Sequence, residues 1–447
     1  MGTRKPNAHL DRLHKEAHWT QGQFARSVNA IGTERGTPTA FGESTVHYWR
    51  KGVMPREGVR KLILEALSRR LDRPVSHADA GFPKPTHEAE LHSITEELIE
   101  MGRQDMERRS LLSASLFSVA MTVPDWPDVV GRMEAVQCGT RLRIGMPEVE
   151  TVTKMTDRLA GTYDVLGGQH TRPLAAAFLV HTVAPYLRQD GPNEVRKAML
   201  SAAAFLCYIT GWMAVDEGAH GLAQKYYVKG LELAGASGDH MTYCHVLRGI
   251  SVQAVDLGHG KLAVNLANAA SASSPQTGPR LRAFMTGQQA HAFAVAGNRG
   301  EALRTLREAE RSMERAESGS HTFGRYDPAT LAYHTSQVRY ALGDTAGSID
   351  SLKSHFRLRR SGETRRSALR FNSMMAERQL ELGLLDAACI TWNHVLDEYP
   401  SVRSGKVDRH VANIGRLLRP YRSTPEAREV HERARVSLKH GSGTQKP

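Results

Sequence analysis

The 447-residue sequence predicts an all-α fold: a small N-terminal helical domain followed by a superhelix of stacked helix pairs. Three observations carry that expectation. Aromatic residues make up only 6% of the chain, while the strong helix formers Ala, Leu, Arg and Glu are abundant. Apolar residues recur at helical spacing over most of the length. From the middle of the chain onward, one glycine returns at intervals near forty residues, as in arrays of repeated structural units. The length suits two or three domains, and 40% hydrophobic content supplies a core. A net charge of +12 favours an acidic partner, nucleic acid or a membrane surface, without choosing between them.

The first helices are placed by their apolar stripes. Leu10, Leu13 and Ala17 share one face; Phe24, Ala25 and Val28 share another. Thr20, with Gln23 three residues on, fits a capping box that opens the second helix. A polar, glycine-rich stretch, IGTERGTPTAFGE, leads to a third helix in STVHYWRKGVMP. Val46 and Trp49 lie on one side of that helix, and Gly52 and Pro55 end it. Val59, Leu62, Ile63, Ala66 and Leu67 stripe a fourth.

This region resembles the Cro/phage-repressor (XRE-type) helix-turn-helix domain. The likeness rests on W-T-Q-x-x-x-A at Trp19–Ala25 and S-T-V-x-x-W-x-x-G-x-x-P from Ser44 to Pro55. About eleven residues are inserted between the second and third helices, where that family has a tight turn. The insertion, the Trp49 segment and LSRRLDRPVSHADAG (Leu67–Gly81) together resemble a group of actinobacterial regulators. The resemblance implies double-stranded DNA as partner, with the third helix in the major groove. A helix there needs an apolar face to seat it and a polar face to read base edges. Val46 and Trp49 suit the first task; Glu43, Ser44, Thr45 and Tyr48 suit the second, with His47 beside them. Thr20, Gln21, Arg50, Lys51, Arg56 and Arg60 are the candidate phosphate contacts. His14 and His18 have an i, i+4 spacing but no third ligand, so no metal is expected.

SHADAGFPKPTH (Ser76–His87), rich in turn formers, reads as the boundary region, giving a DNA-binding domain over 1–82 and a linker with a connector helix over 83–127. That connector is a candidate for pairing two copies of the chain. It contains RRSLLSASLFSVAMTVP (108–124), which has the outline of a twin-arginine export signal. About a hundred residues precede the arginines, and the uncharged run is too short to cross ~30 Å of hydrocarbon. A cytoplasmic chain is therefore expected, not associated with a membrane. Cys138, Cys207, Cys244 and Cys389 are widely scattered and read as buried thiols in a reducing compartment.

The repeats span 128–436, with a disordered tail expected at 437–447. Gly218, Gly258, Gly297, Gly343 and Gly383 are spaced by 40, 39, 46 and 40 residues. Each is followed five positions on by a small residue: Ala223, Ala263, Ala302, Ser348 or Ala388. Helix, tight turn, helix is the implied unit, with the small residue admitting close approach. The pattern resembles the tetratricopeptide repeat, and YDVLGGQHTRPLAAAFLVHTVAPYLR indicates a degenerate pair upstream. First helices of such pairs line a concave face. The register nominates Tyr208, Trp212, Asp216, His245, Arg248, Asp256, His291, Tyr333, Gln337, Arg370 and Glu377 for it. Aromatic, charged and amide groups together suit a signalling peptide or polar small molecule. FRLRRSGETRRSALR (Phe356–Arg370), the densest basic stretch, reads as a solvated loop between repeats.

Phosphate-binding, nucleophile-elbow and dinucleotide motifs are missing, so neither an enzyme nor a cofactor is expected. The sequence therefore points to a DNA-binding transcriptional regulator, acting as a homodimer, whose repeats receive a signal. The alternative is a repeat scaffold that holds a protein partner.

Overall fold

The computed structural model describes residues 6–34, 38–71, 73, 75–83, 87–106, 144–273, 278–316, 326–359 and 364–442. The twin-arginine run and Cys138 lie outside these residues. Among the described residues the regular structure is helical throughout, with no β-strand.

Four helices, α1 (Ala8–Glu16), α2 (Gln21–Glu34), α3 (Glu43–Arg50) and α4 (Glu57–Leu71), build the N-terminal domain. Their apolar stripes meet in one core that holds Leu10, Leu13, Phe24, Val28, Val46, Trp49, Ile63 and Leu67. Thr20 and Gln23 cap α2 reciprocally: the Gln23 backbone N–H donates to Thr20 Oγ1 at 3.2 Å, and the Thr20 backbone N–H donates to Gln23 Oε1 at 2.8 Å. The inserted stretch is pinned by Asn29, whose side chain accepts from the Phe41 N–H at 2.8 Å and donates to its carbonyl at 2.9 Å. Phe41 then meets Trp49 edge-on at 5.0 Å. The segment read as a boundary belongs partly to this core, because Val75, Ala80 and Phe82 are buried in it. Asn7 closes the circle, capping α1 and donating to the Ala80 carbonyl at 2.9 Å.

Helix α5 (His87–Met106) does not offer its described apolar residues to a second copy. Leu98, Ile99 and Met101 are buried against the chain's own repeats. Asp105 anchors the end of α5 there, bonded to Arg172 and accepting from the Tyr226 hydroxyl at 2.6 Å.

The repeat domain stacks seven helix pairs among the described residues. They are α6 (Met146–Leu166) with α7 (Gly168–Phe178); α9 (Asn193–Glu217) with α10 (His220–Ser237); and α11 (His240–Asp256) with α12 (Gly260–Ala272). Next come α13 (Pro279–Val295) with α14 (Arg299–Glu314), and α15 (Pro328–Ala341) with α16 (Thr345–Leu358). Last are α17 (Arg365–Glu381) with α18 (Leu385–Glu398), and α19 (Gly405–Leu417) with α20 (Pro425–Ser442). A π-helical turn, Leu179–Val183, carries α7 into the short α8 (Ala184–Leu187). All five turn glycines have positive φ, between 76° and 86°, and the five small residues that follow are fully buried. That pairing is the tetratricopeptide-like hairpin the spacing predicts. The final pair was not expected, and α20 carries helix as far as Ser442, past the expected start of the tail at 437.

Helix α9 is long and apolar enough to cross a membrane by length and composition alone, yet it is a core helix whose apolar stretch is mostly buried inside the protein. The described cysteines, Cys207, Cys244 and Cys389, are free and buried.

The superhelix returns on itself. Helix α17 packs on α6, and α19 packs on α9. The Arg403 N–H donates to the Leu166 carbonyl at 2.9 Å where these ends meet. A side chain at Gly167 would strike the Arg403 backbone, and its φ of +89° disfavours any L residue as well.

Candidate functional site

Two regions hold the candidate residues. In the N-terminal domain, burial of Val46 and Trp49 turns the opposite side of α3 to solvent. Ser44, His47 and Tyr48 are exposed there, Tyr48 by 59%, and Thr45 is half-buried. Lys51 and Arg56 are exposed and make no ion pair among the described residues. Four other candidates, Arg50, Arg60, Glu43 and Gln21, are engaged within the domain. Arg50 forms an ion pair with Asp11 of α1, and its Nε donates to Asp11 Oδ1 at 2.7 Å, so it is not free to hold a phosphate. Arg60 Nε donates to the Pro55 carbonyl at 2.8 Å. The Glu43 carboxylate lies against Gly22 in the first turn of α2, where Thr20 and Gln21 were expected to meet a phosphate. Gln21 completes that corner: with its amide oriented to satisfy its neighbours, it donates to the Glu43 carbonyl and accepts from Arg50. His14 is buried beside Phe24 while His18 is exposed, and no metal-binding cluster occurs among the described residues.

The second region is the interior of the superhelix. All eleven nominated residues sit on first helices, but they do not form one open groove. Tyr208, Asp216, His245 and Arg248 are 3%, 1%, 2% and 6% exposed, which closes them to a ligand. Rings form a continuous seam there: Tyr208 to His245 at 6.0 Å, His245 to Phe284 at 5.3 Å, Phe284 to Tyr326 at 5.2 Å and Tyr326 to His334 at 5.3 Å. Tyr333 extends it onto Phe371 at 4.3 Å. Arg248 lies over the Phe284 ring at 3.6 Å. Burial pushes His245 down to about 4, and burial likewise holds His291 at about 4.

Asp216 instead belongs to the closure. It accepts from Ser404 Oγ at 2.7 Å and faces Arg366 at 3.6 Å. Arg366 also pairs with Asp164 at 3.2 Å and covers the Tyr163 ring. The basic stretch at 356–370 is thus not simply a solvated loop: Arg366 and Arg370, in the first turns of α17, point inward. Gln337 accepts from Arg378 at 2.6 Å, and Trp212 faces Lys406.

Asp256, Arg370 and Glu377 do come together. They line a cleft of about 600 Å³ with Lys406, Arg409, His410, Ala412, Asn413 and Arg416. Burial would raise the Asp256 carboxyl, but Lys406 at 2.6 Å and nearby Arg370 outweigh it and hold the group near 2. Sequence reasoning missed α19, which forms one wall. Its signal was present in Val407, Val411 and Ile414, an apolar stripe set against Lys406, Arg409 and Arg416.

The two regions are linked through α5. Glu97 bonds Lys61 of α4 at 3.0 Å and Lys229 of α10 at 2.7 Å. Burial would raise its carboxyl, yet the two lysines hold it near 2.

Residues 10–83 match the family described as SP15 N-terminal domain, and these residues coincide with the first core. No curated protein matches the chain. Among solved structures, the crystal structure of the APC/C hetero-tetramer Cut9-Hcn1 is similar at 12% identity and a TM-score of 0.33, covering 95% of this chain and 73% of that one. The chain is an all-helical repeat protein, and it is the hairpins seen directly that carry this conclusion.

Proposed function

We propose that this protein is a sequence-specific DNA-binding transcriptional regulator. The observation that carries the proposal is α3, seated by Val46 and Trp49 and presenting Ser44, Thr45, His47 and Tyr48 outward, followed by the exposed Lys51 and Arg56, which make no ion pair among the described residues. A short helix with one buried apolar face and one exposed polar face suits a major groove, and flanking cations suit phosphates. Two heads on a homodimer would engage half-sites about 34 Å apart. In this reading the repeats receive a small-molecule or peptide signal in the cytoplasm and catalyse nothing.

Replacing Ser44, Thr45 and Tyr48 together by alanine tests the reading. Fluorescence anisotropy on a selected DNA site should show specific binding lost while circular dichroism is unchanged. Unaltered affinity in the triple variant would refute it.

A second reading, a scaffold that holds a protein partner, is favoured by Leu382, Leu384 and Ile390, exposed by 43%, 51% and 72% on and beside one interhelical turn. Under it, the triple alanine variant keeps every interaction of the protein.

A further inference from the structure

We infer that the cleft between α11, α17 and α19 is a binding site for a small polyanion, a molecule bearing two or more phosphate or carboxylate groups. The charges inside it do not cancel. Asp256 pairs with Lys406 at 2.6 Å and lies near Arg370, and Glu377 accepts a hydrogen bond from His410 at 2.9 Å. Arg370, Arg409 and Arg416 are left, and no carboxylate stands within ion-pair distance of any of them among the described residues. Arg370 is held by a neutral partner, donating to the Tyr333 hydroxyl at 3.0 Å, and Arg416 by Asn413 at 2.8 Å. Arg409 is exposed at the mouth.

Four cations, Lys406, Arg370, Arg409 and Arg416, thus face two carboxylates in the cleft, with Arg409 and Arg416 exposed, and this surplus of positive charge attracts an anion. Guanidinium groups bind phosphate and carboxylate with paired, charge-assisted hydrogen bonds, which a neutral ligand cannot supply. Arg409 and Arg416 are seven residues apart on one helix, so they share a face with Cα atoms about 10 Å apart. That separation suits anionic groups at two ends of one molecule rather than a single inorganic ion. The volume, about 600 Å³, is within the range of small-ligand pockets. The ligand would touch α11, α17 and α19 at once, across the place where the superhelix closes.

This deepens the signal-receiving role proposed above and rests on that reading for its purpose, though not for its chemistry. The test uses no DNA, so its failure and the failure of the DNA-binding reading are separable. Isothermal titration calorimetry on the full chain, at fixed ionic strength, would compare citrate and tripolyphosphate with a neutral sugar of similar size. The expected result is saturable one-to-one binding of at least one anion and none of the sugar. Arg409→Gln and Arg416→Gln should each weaken it about ten-fold with unchanged melting temperature. Because Arg370 also holds the Tyr333 hydroxyl, the two α19 variants carry the test. Absence of saturable anion binding, or binding that both α19 variants retain in full, overturns the inference.

Discussion

Ser404 Oγ donates to Asp216 Oδ1 at 2.7 Å, joining residues 188 positions apart. This bond ties the start of α19 to the end of α9, so the superhelix is held shut by a buried carboxylate. Asp216→Ala removes the acceptor and leaves Arg366 with one fewer partner in the interior. The expected loss is about 3 kcal/mol, read as a lower urea midpoint. Ser404→Ala should cost about 1 kcal/mol. A midpoint unmoved by Asp216→Ala would show that closure does not depend on this residue.

Two glycines with similar φ should respond differently to alanine. Gly297, at +79°, has open space where a Cβ would go, so Gly297→Ala meets only the backbone penalty of about 1–2 kcal/mol. Gly167, at +89°, adds a collision with the Arg403 backbone. Thermal melts should therefore show the larger loss for Gly167→Ala. Equal losses would mean that the α6–α7 turn gives way without disturbing the closure.

His245 predicts an acid-sensitive core. Its Nδ1 bonds the Met241 carbonyl at 2.8 Å, while Nε2 is buried with no hydrogen-bond partner among the described residues. Burial lowers its pKa from 6.5 to about 4, so the unfolded chain binds the proton more readily than the folded one. Stability from this group is complete above pH 6.5 and is lost as pH falls toward 4, by on the order of 3 kcal/mol. His245→Phe, which keeps a ring in the seam, should flatten the stability–pH curve over that interval. An unchanged slope would assign the acid sensitivity elsewhere.

Glu97 acts in a lower window. Its pKa is depressed from 4.5 to about 2, so the pairing with Lys61 and Lys229 stabilises above pH 4.5 and fades as the carboxyl protonates below it. Glu97→Gln should loosen the N-terminal domain from the repeats at neutral pH. The test is amide hydrogen exchange in α5, faster in the variant at pH 7 and similar to the parent near the acid limit. No difference at pH 7 would mean that the apolar face of α5 holds the arrangement alone.

The repeat was the most legible part of the sequence because each turn demands the same backbone conformation. Gly218 through Gly383 mark left-handed turns, and Ala223 through Ala388 mark close helix contacts, so register follows from spacing. In the N-terminal domain, Val46 and Trp49 were readable for a similar reason: one helical period separates buried from exposed. Contacts made by closure were not readable. Nothing local distinguishes Arg366, which meets Asp164 and Asp216, from a solvated arginine, because its partners lie far away in sequence. Arg50 misled in the same way, since Asp11 claims it across 39 positions. Asp216 and His245 are buried in the interior, but periodicity cannot say whether an inward face stays open or is filled by the chain itself.

Selection of bound sites from a random DNA pool, with the full-length protein at two salt concentrations, tests the central claim most directly. The account predicts enrichment of a two-fold symmetric motif that persists at the higher salt and disappears when Ser44, Thr45 and Tyr48 are alanine. Binding that enriches no sequence and fades as salt rises would contradict it.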